Sequence, residues 1–411
     1  MAGDLNLVLL EGAPWKKLHK TLLPAFTNSN IRKSTTVMAE EVMVLREILD
    51  ELAVTNTKFS LETLARNLTF NVICRTMLGV VPDAQRKSHP ILDEISIGIE
   101  CTTTENLSFN PFTKLAAKSK RKAARTRLDV LVKQIVHDRV EFLKNEDTDD
   151  ENEGLQAIDL IIRDTLQNDN GGSKSFTTLD DNTTELIMSN AKSFILGGMG
   201  TTADTLCFVY MLLSVHPGVV QKLREEHNRI FNQDVQATYQ QICDAPQKLS
   251  ELTYTTNVIR ETLRMYPAAS TARATDKPIL YKGSYYPVNG HVVSIFQHTL
   301  HYDPENFNNP DKFDPDRFDD PKSRRAWRPF ERGLRGCIGE HLAMQELKVI
   351  LLLTIRYYDF KCADLKPNLK PRVPWTNWDL VFGDRAFQRT AFGAKPRDGM
   401  PMTVKKVDEV N

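Results

Sequence analysis

A mainly α-helical fold with a minor β part is predicted by three features of this 411-residue chain. Apolar residues recur at helical spacing through most of the first 265 positions, in long segments free of the two-residue alternation of strands. Past Pro267 the texture changes to short strand-like runs broken by glycine and proline. One helical stretch, Asp181 to about Val215, is far longer than its neighbours; at 1.5 Å per residue it would extend roughly 50 Å, enough to cross the molecule. The helical bulk is therefore placed at about 1–266 and the mixed strand and loop region at about 267–411.

Local chemistry accounts for each element in turn. Lys114 to Arg127 carries seven basic residues and no acid, and reads as the outer face of a helix or, more sharply, as a contact for a membrane surface or a partner. Glu146 to Glu153 carries six acids and reads, on into Gly154, as a solvated loop between helices. Asp, Asn and Thr residues around Asp181 supply caps that open the long helix, and His216-Pro217-Gly218 closes it. Inside it stand Gly197, Gly198 and Gly200, although an interior glycine costs about 1 kcal/mol relative to alanine. Close approach of a flat ligand would justify them, as would a local opening of the helix, since Ser and Thr side chains can bond back to the carbonyl at i−4 and bend the element. Glu261 and Arg264 share one helix face at i, i+3, a pair worth roughly a few tenths of a kcal/mol when solvated, and Pro267 ends that helix. Strand-like runs follow at Pro278 to Lys282, Tyr285 to Val288 and His291 to Phe296.

Composition narrows the function classes. Lys plus Arg equals Asp plus Glu at 53 each, so no global field favours nucleic acid as a partner. The six cysteines contain no C-x-x-C pair, which argues against a disulfide framework or a structural zinc site and for a reducing compartment. Apolar runs such as Leu206 to Val215 and Val349 to Leu353 are too short to span a bilayer. Met1-Ala2-Gly3-Asp4 lacks the basic start and apolar core of a signal peptide, so the chain as written is expected to be soluble and intracellular. Length alone suggests two or three domains.

Chemistry concentrates in Phe330-Glu331-Arg332-Gly333-Leu334-Arg335-Gly336-Cys337-Ile338-Gly339. Glycines let the backbone take turns closed to other residues and approach a ligand closely. Successive N–H groups in such a turn can hydrogen-bond a sulfur and hold it ionised, and Arg335 adds a bidentate donor for a carboxylate beside the metal. This is how a chain presents one thiolate, that of Cys337, to a flat metal cofactor. Cys74, Cys101, Cys207, Cys243 and Cys362 have no such setting and read as small buried hydrophobes.

The pattern F-x-x-G-x-R-x-C-x-G, fixed here at Phe330, Gly333, Arg335, Cys337 and Gly339, resembles the haem-binding loop of the cytochrome P-450 family. Gly197-Gly198-Met199-Gly200-Thr201-Thr202 resembles the family's oxygen-activating [AG]-G-x-[DE]-T-[TS], and Glu261-Thr262-Leu263-Arg264 its E-x-x-R. Phe313-Asp314-Pro315-Asp316-Arg317-Phe318 resembles the segment whose arginine completes a buried Glu-Arg-Arg network, and Trp15 with His19 is similar to the W-x-x-x-R helix. The resemblance implies the cytochrome P-450 fold as one domain over 1–411, overriding the length prior, with the long central helix crossing the haem. It implies haem b, with Cys337 as axial thiolate and metal ligand, with Gly197 and Gly198 at the haem face, and with Trp15, His19, Arg335 and Arg273 toward its propionates. Thr201 takes the position assigned to proton delivery. Electrons would come from NADPH through NADPH-cytochrome P-450 reductase, and one oxygen atom of dioxygen would enter an apolar small-molecule substrate bound by a monomer. Substrate-lining stretches would be Gly98 to Phe112, Phe194 to Gly198, Ala268 to Ala272 and Gln388 to Phe392. The cysteine loop and Lys395 to Pro401 are most similar in wording to filamentous-fungal enzymes of secondary metabolism; a native product with an amino-terminal anchor would sit on the cytosolic face of the endoplasmic reticulum.

The chain departs from the family pattern in three places. Gly200 stands at the acidic position, leaving Asp204, one turn on, as the candidate to replace the missing carboxylate. His19 replaces an arginine, which makes the charge there pH-dependent. The portion that family members carry ahead of the Trp15 helix is lacking, so an N-terminally truncated form is expected. These departures keep two alternatives open: a haem-thiolate enzyme using peroxide or an already oxygenated substrate (isomerase or dehydratase), and a non-catalytic remnant.

Overall fold

In the computed structural model, which describes residues 2–145, 154–169, 180–390 and 393–407, helices dominate up to Met265 and most strands come after it. The acidic run Glu146 to Glu153 lies outside the described residues. The basic run lies on the helix Pro111–Asn145, where Arg121 pairs with Glu105 and Arg127 with Glu94 of the preceding helix, Pro90–Leu107.

The long helix spans Asp181–Leu213, 33 residues. Asp180 caps it, its carboxylate accepting the Thr183 N–H at 2.6 Å, and Pro217 opens the next helix, Pro217–Ile230. Among the described residues this is the one helix long and apolar enough to cross a membrane, yet 78% of its most apolar window is buried inside the protein. It is the axis of the core, and most of the buried apolar side chains form one cluster running from Leu18 to Val404.

The helix stays intact through its glycines, so of the two explanations for them a local opening is not seen. Gly198 has a packing reason: a Cβ there would stand 2.4 Å from Ile73 Cδ1 on the helix Leu61–Ile73. The same close approach lets Thr69 Oγ1 donate to the Met199 carbonyl at 3.0 Å. At Gly197 and Gly200 a Cβ would meet nothing within 4 Å.

Two antiparallel pairs contain the strand-like runs, Ile279–Tyr281 with Ser284–Tyr286 and, enclosing them, Val292–Ile295 with Thr271–Ala274, a strand ahead of the expected runs. A three-stranded antiparallel sheet has Pro401–Lys406 at its centre, flanked by Phe59–Ser60 and Tyr358–Cys362. Phe59–Ser60 is only two residues long and its partner lies at the far end of the chain, so no local pattern announces it.

Glu261 and Arg264, on the helix Thr253–Met265, are both 0% exposed, and the network around them is saturated. Glu261 Oε2 accepts from Arg264 Nε at 2.7 Å. Its Oε1 accepts from Arg264 Nη2, Arg317 Nε and the Asp314 N–H, each at 2.9 Å. The remaining guanidinium donors reach the carbonyls of His301 (2.8 Å) and Lys312 (3.2 Å) from Arg264, and of Asn308 (2.6 Å) from Arg317. The pair is thus no weak surface interaction but a buried charge with every partner in place.

Two outcomes follow for stability. Glu261→Gln leaves two guanidinium groups uncompensated and lowers unfolding stability by about 3–5 kcal/mol, read from denaturant midpoints; an unchanged midpoint would contradict the saturated network. Gly198→Ala costs about 1–3 kcal/mol by overpacking against Ile73, whereas Gly197→Ala in the haem-free chain gains up to about 1 kcal/mol from helix propensity.

Candidate active site

The cysteine loop is shaped by its own backbone. The Cys337 N–H donates to the Phe330 carbonyl at 2.8 Å and the Gly336 N–H to the Gly333 carbonyl at 2.9 Å. Gly333 has φ +84°, a conformation that favours glycine. Glu331 also has positive φ, 60°, without being glycine. Its carboxylate is held by Thr271 Oγ1 at 2.6 Å, Gln297 Nε2 at 3.0 Å and Arg328 Nη2 at 3.2 Å. Burial raises its pKa, but those bonds together with the charges of Arg328 and Arg273 outweigh burial and hold it below the usual range.

Cys337 is the one exposed cysteine of the six; Cys74, Cys101 and Cys207 are buried, and Cys243 and Cys362 half-buried. Although the side chain reaches solvent, the chain crowded around it pushes its thiol up, while the N–H groups of Gly339 and Glu340 pull it down. A cation at the sulfur would tip that balance toward thiolate. At Gly339 a Cβ would stand 3.8 Å from Cys337 Sγ, ordinary contact, so glycine there keeps the approach to the sulfur wide.

The open face at Gly197 and Gly200 belongs to the long helix, which also carries Thr201 and Asp204. Half-buried Thr201 donates from Oγ1 to the Gly197 carbonyl at 2.7 Å, and Thr205 Oγ1 donates to the Thr201 carbonyl at 2.8 Å. Asp204 is buried at 4% exposure, with no hydrogen-bond partner for Oδ1. Burial pushes its carboxyl up to about 7; Arg66 and Lys395 oppose the rise and Glu62 adds to it.

Trp15, His19 and Arg335, remote in sequence, come together. The Trp15 and His19 rings lie 4.7 Å apart and the Arg335 guanidinium sits 4.1 Å over the Trp15 ring. Arg335 also donates to the carbonyls of Leu10 at 2.6 Å and Leu7 at 3.3 Å, which tie the amino-terminal segment to the cysteine loop. Arg273 is exposed on the strand Thr271–Ala274, donating to the Ala272 carbonyl at 3.0 Å and acting electrostatically on Glu331.

Of the expected substrate-lining stretches, Phe194 is buried with its ring 6.1 Å from that of Phe26. The Ala268 carbonyl accepts the Ala394 N–H at 2.8 Å and Gln388 Nε2 donates to the Pro267 carbonyl at 3.1 Å, so the two carboxy-terminal stretches are stitched together. Residues 391–392 lie outside the described residues. Phe109 and Phe112, at the end of the Gly98 to Phe112 stretch, are 102% and 81% exposed and face solvent.

The residues present fit a haem. An exposed thiol beside two N–H groups, an uncluttered helix face at Gly197 and Gly200, and an aromatic and cationic cluster at Trp15, His19 and Arg335 match a flat metal cofactor with carboxylates. A groove of about 500 Å³ between Leu213, Pro217, Arg224 and Phe360 is lined by none of these groups. Sequence reasoning missed the supports. His301, on the short helix Gln297–His301, donates from Nδ1 to the Arg264 carbonyl at 3.0 Å and accepts the Arg328 N–H at Nε2 at 3.1 Å. Burial pushes its pKa down to about 4, so it is the neutral ring that both bonds require. Glu62, Arg66 and Lys395 were likewise unmarked; an acid inserted in the Phe330 to Gly333 turn was the one available hint, for Glu331.

Residues 2–382 match the family model described as Cytochrome P-450. Cytochrome P-450 monooxygenase acrF of Aspergillus aculeatus is 30% identical over 98% of this chain and 85% of its own length. Cytochrome P-450 monooxygenase polC of Polytolypa hystricis is 28% identical over 99% of this chain and 74% of its own. The haem domain of cytochrome P-450DA, in a crystal structure, superposes with a TM-score of 0.76 at 21% identity, over 99% of this chain and 80% of that one, a likeness of fold. Loop, long helix, buried ion network and these relatives agree: the chain belongs to the cytochrome P-450 family.

Proposed function

We propose that the chain, read as one domain over residues 1–411, is a haem-thiolate monooxygenase that oxygenates an apolar small molecule in fungal secondary metabolism, with electrons from a reductase. The observation that carries this reading is Cys337, alone exposed among six cysteines, in a turn whose N–H groups face its sulfur. When bound, haem supplies the dioxygen chemistry. The chain's own residues do the rest. Cys337 ligates, and the Gly339 and Glu340 N–H groups steady its negative charge. Trp15, His19 and Arg335 hold the carboxylates. Gly197 and Gly200 leave the helix face bare for a flat ring, and Thr201 holds a proton at Oγ1. Buried residues around Phe194 and Ala268 exclude water and receive the apolar substrate, while the reductase docks on the cysteine side.

Gly200 favours a second reading, in which a haem-thiolate enzyme uses peroxide or rearranges an already oxygenated substrate. Turnover separates the two. The monooxygenase consumes NADPH and dioxygen only with reductase present; product formed without any electron donor overturns the reading. For the cofactor cluster, His19→Arg adds one charge-assisted bond to a carboxylate and slows haem transfer to a scavenger protein about tenfold, measured by absorbance; unchanged or faster loss would remove His19 from the cluster's role.

A further inference from the structure

We propose that Asp204, with Glu62, Arg66 and Lys395, forms a proton-uptake site that feeds Thr201 in place of the acid missing at Gly200. The inference rests on the monooxygenase reading, which requires protons at the cavity. Its geometry is an inward gradient. Lys395, Arg66 and Glu62 have side chains 20%, 16% and 10% exposed, and Asp204 behind them is 4% exposed. Lys395 Nζ lies 2.9 Å from Glu62 Oε1, and Arg66 Nε 3.7 Å from the same oxygen. These groups come from the helix Leu61–Ile73 and the strand Ala394–Lys395, both packed against the long helix.

A cluster built only for strength would pair its buried acid with its cations. Here Asp204 Oδ1 and Arg66 Nε are both buried without a hydrogen-bond partner, Arg66 Nε reaching Glu62 only at ion-pair distance. A glycine stands beside the acid. A Cβ on Gly393 would stand 3.0 Å from the Ala268 carbonyl, a tight contact, and 3.9 Å from Asp204 Oδ2, so the bare residue lets the chain pack close to Ala268 directly beside Asp204. Asp204 follows Thr201 by three positions, one helical turn. The Thr201 hydroxyl is engaged with the Gly197 carbonyl, leaving its lone pairs to receive a proton.

The transfer involves protons alone. Thr201 turns its hydroxyl away from the Gly197 carbonyl and gives its proton to the acceptor facing the open helix side; the Asp204 carboxyl replaces it on Oγ1 and becomes carboxylate. Arg66 and Lys395 compensate that charge, and water at the exposed edge of the Lys395–Glu62 pair returns a proton to Asp204. An acid that titrates at about 7 suits both halves of this cycle. Cys207, on the same helix, has its thiol pushed up by burial and by Asp204 and stays neutral.

Two measurements on the haem-loaded chain test this. The first needs no turnover. Folded Asp204 titrates at about 7 against an ordinary 3.8, so its stability contribution is complete below about pH 4 and is lost as pH rises toward 7. Asp204→Asn removes that slope, and with it an infrared band of a protonated carboxyl that fades between about pH 6 and 8 in the wild type. The second is turnover with reductase and NADPH. Asp204→Asn lowers the share of electrons reaching product by about tenfold or more and enlarges the solvent deuterium isotope effect. Lys395→Met does so more weakly, and Gly200→Asp added to Asp204→Asn restores coupling. Absence of the carboxyl titration, or normal coupling and isotope effect in Asp204→Asn, overturns the proposal. A wild type that turns over peroxide but never NADPH overturns the monooxygenase reading and this role together, a failure recognised in the wild type itself.

Discussion

One buried carboxylate organises the cysteine side of this molecule. A charge at 0% exposure survives only if its partners are fixed, and Glu261 fixes Arg264, Arg317 and the Asp314 backbone. From there the order spreads through specific bonds. The Arg264 carbonyl orients His301, which receives the Arg328 N–H. The carbonyl of Arg260, on the same helix, receives Trp327 Nε1–H at 2.8 Å, and the Trp327 ring meets Phe330 edge-on at 5.8 Å. Phe330 in turn accepts the Cys337 N–H. A loop with no regular structure of its own thereby inherits the rigidity of a buried ion network, and the thiol is held in place by residues up to 77 positions away.

The opposite wall obeys another constraint. The long helix must be both the axis of the core and a face for a flat ligand, and its glycines divide those duties. Gly198 admits Ile73 and the Thr69 hydroxyl on the packed side, while Gly197 and Gly200 leave space empty. The family's acid is missing from the open side, but a carboxyl stands one turn farther along, buried near Arg66, Lys395 and Glu62. Arg335 closes the arrangement by linking the cysteine loop to the Trp15 helix and to the carbonyls of Leu7 and Leu10.

Much of this is legible in sequence because it rests on short patterns. Helical periodicity and the capping residues at its start locate the long helix, and the glycine, arginine and cysteine spacing identifies the loop. The Glu261–Arg264 pair illustrates the limit: its spacing is visible, but its worth depends on burial, which only the meeting of Arg317, His301 and Lys312 carbonyls and donors defines. Gly198 and Gly197 look alike in sequence and differ because Ile73, 125 positions before Gly198, lies against one of them. Arg273 joins the expected propionate contacts by resemblance; in the fold it stands exposed and also acts on Glu331, a contact with no signal in the sequence. Glu331, Lys395 and Glu62 are ordinary surface-type residues in sequence, and only tertiary contact gives them partners.

The central claim is that Cys337 binds haem as a thiolate, and the absorption spectrum of the reduced, carbon-monoxide-bound chain tests it most directly. A strongly red-shifted Soret band in the wild type and in Cys207→Ser, lost in Cys337→Ser, is the predicted result. A short-wavelength band in the wild type, or a red-shifted band that survives in Cys337→Ser, would contradict it.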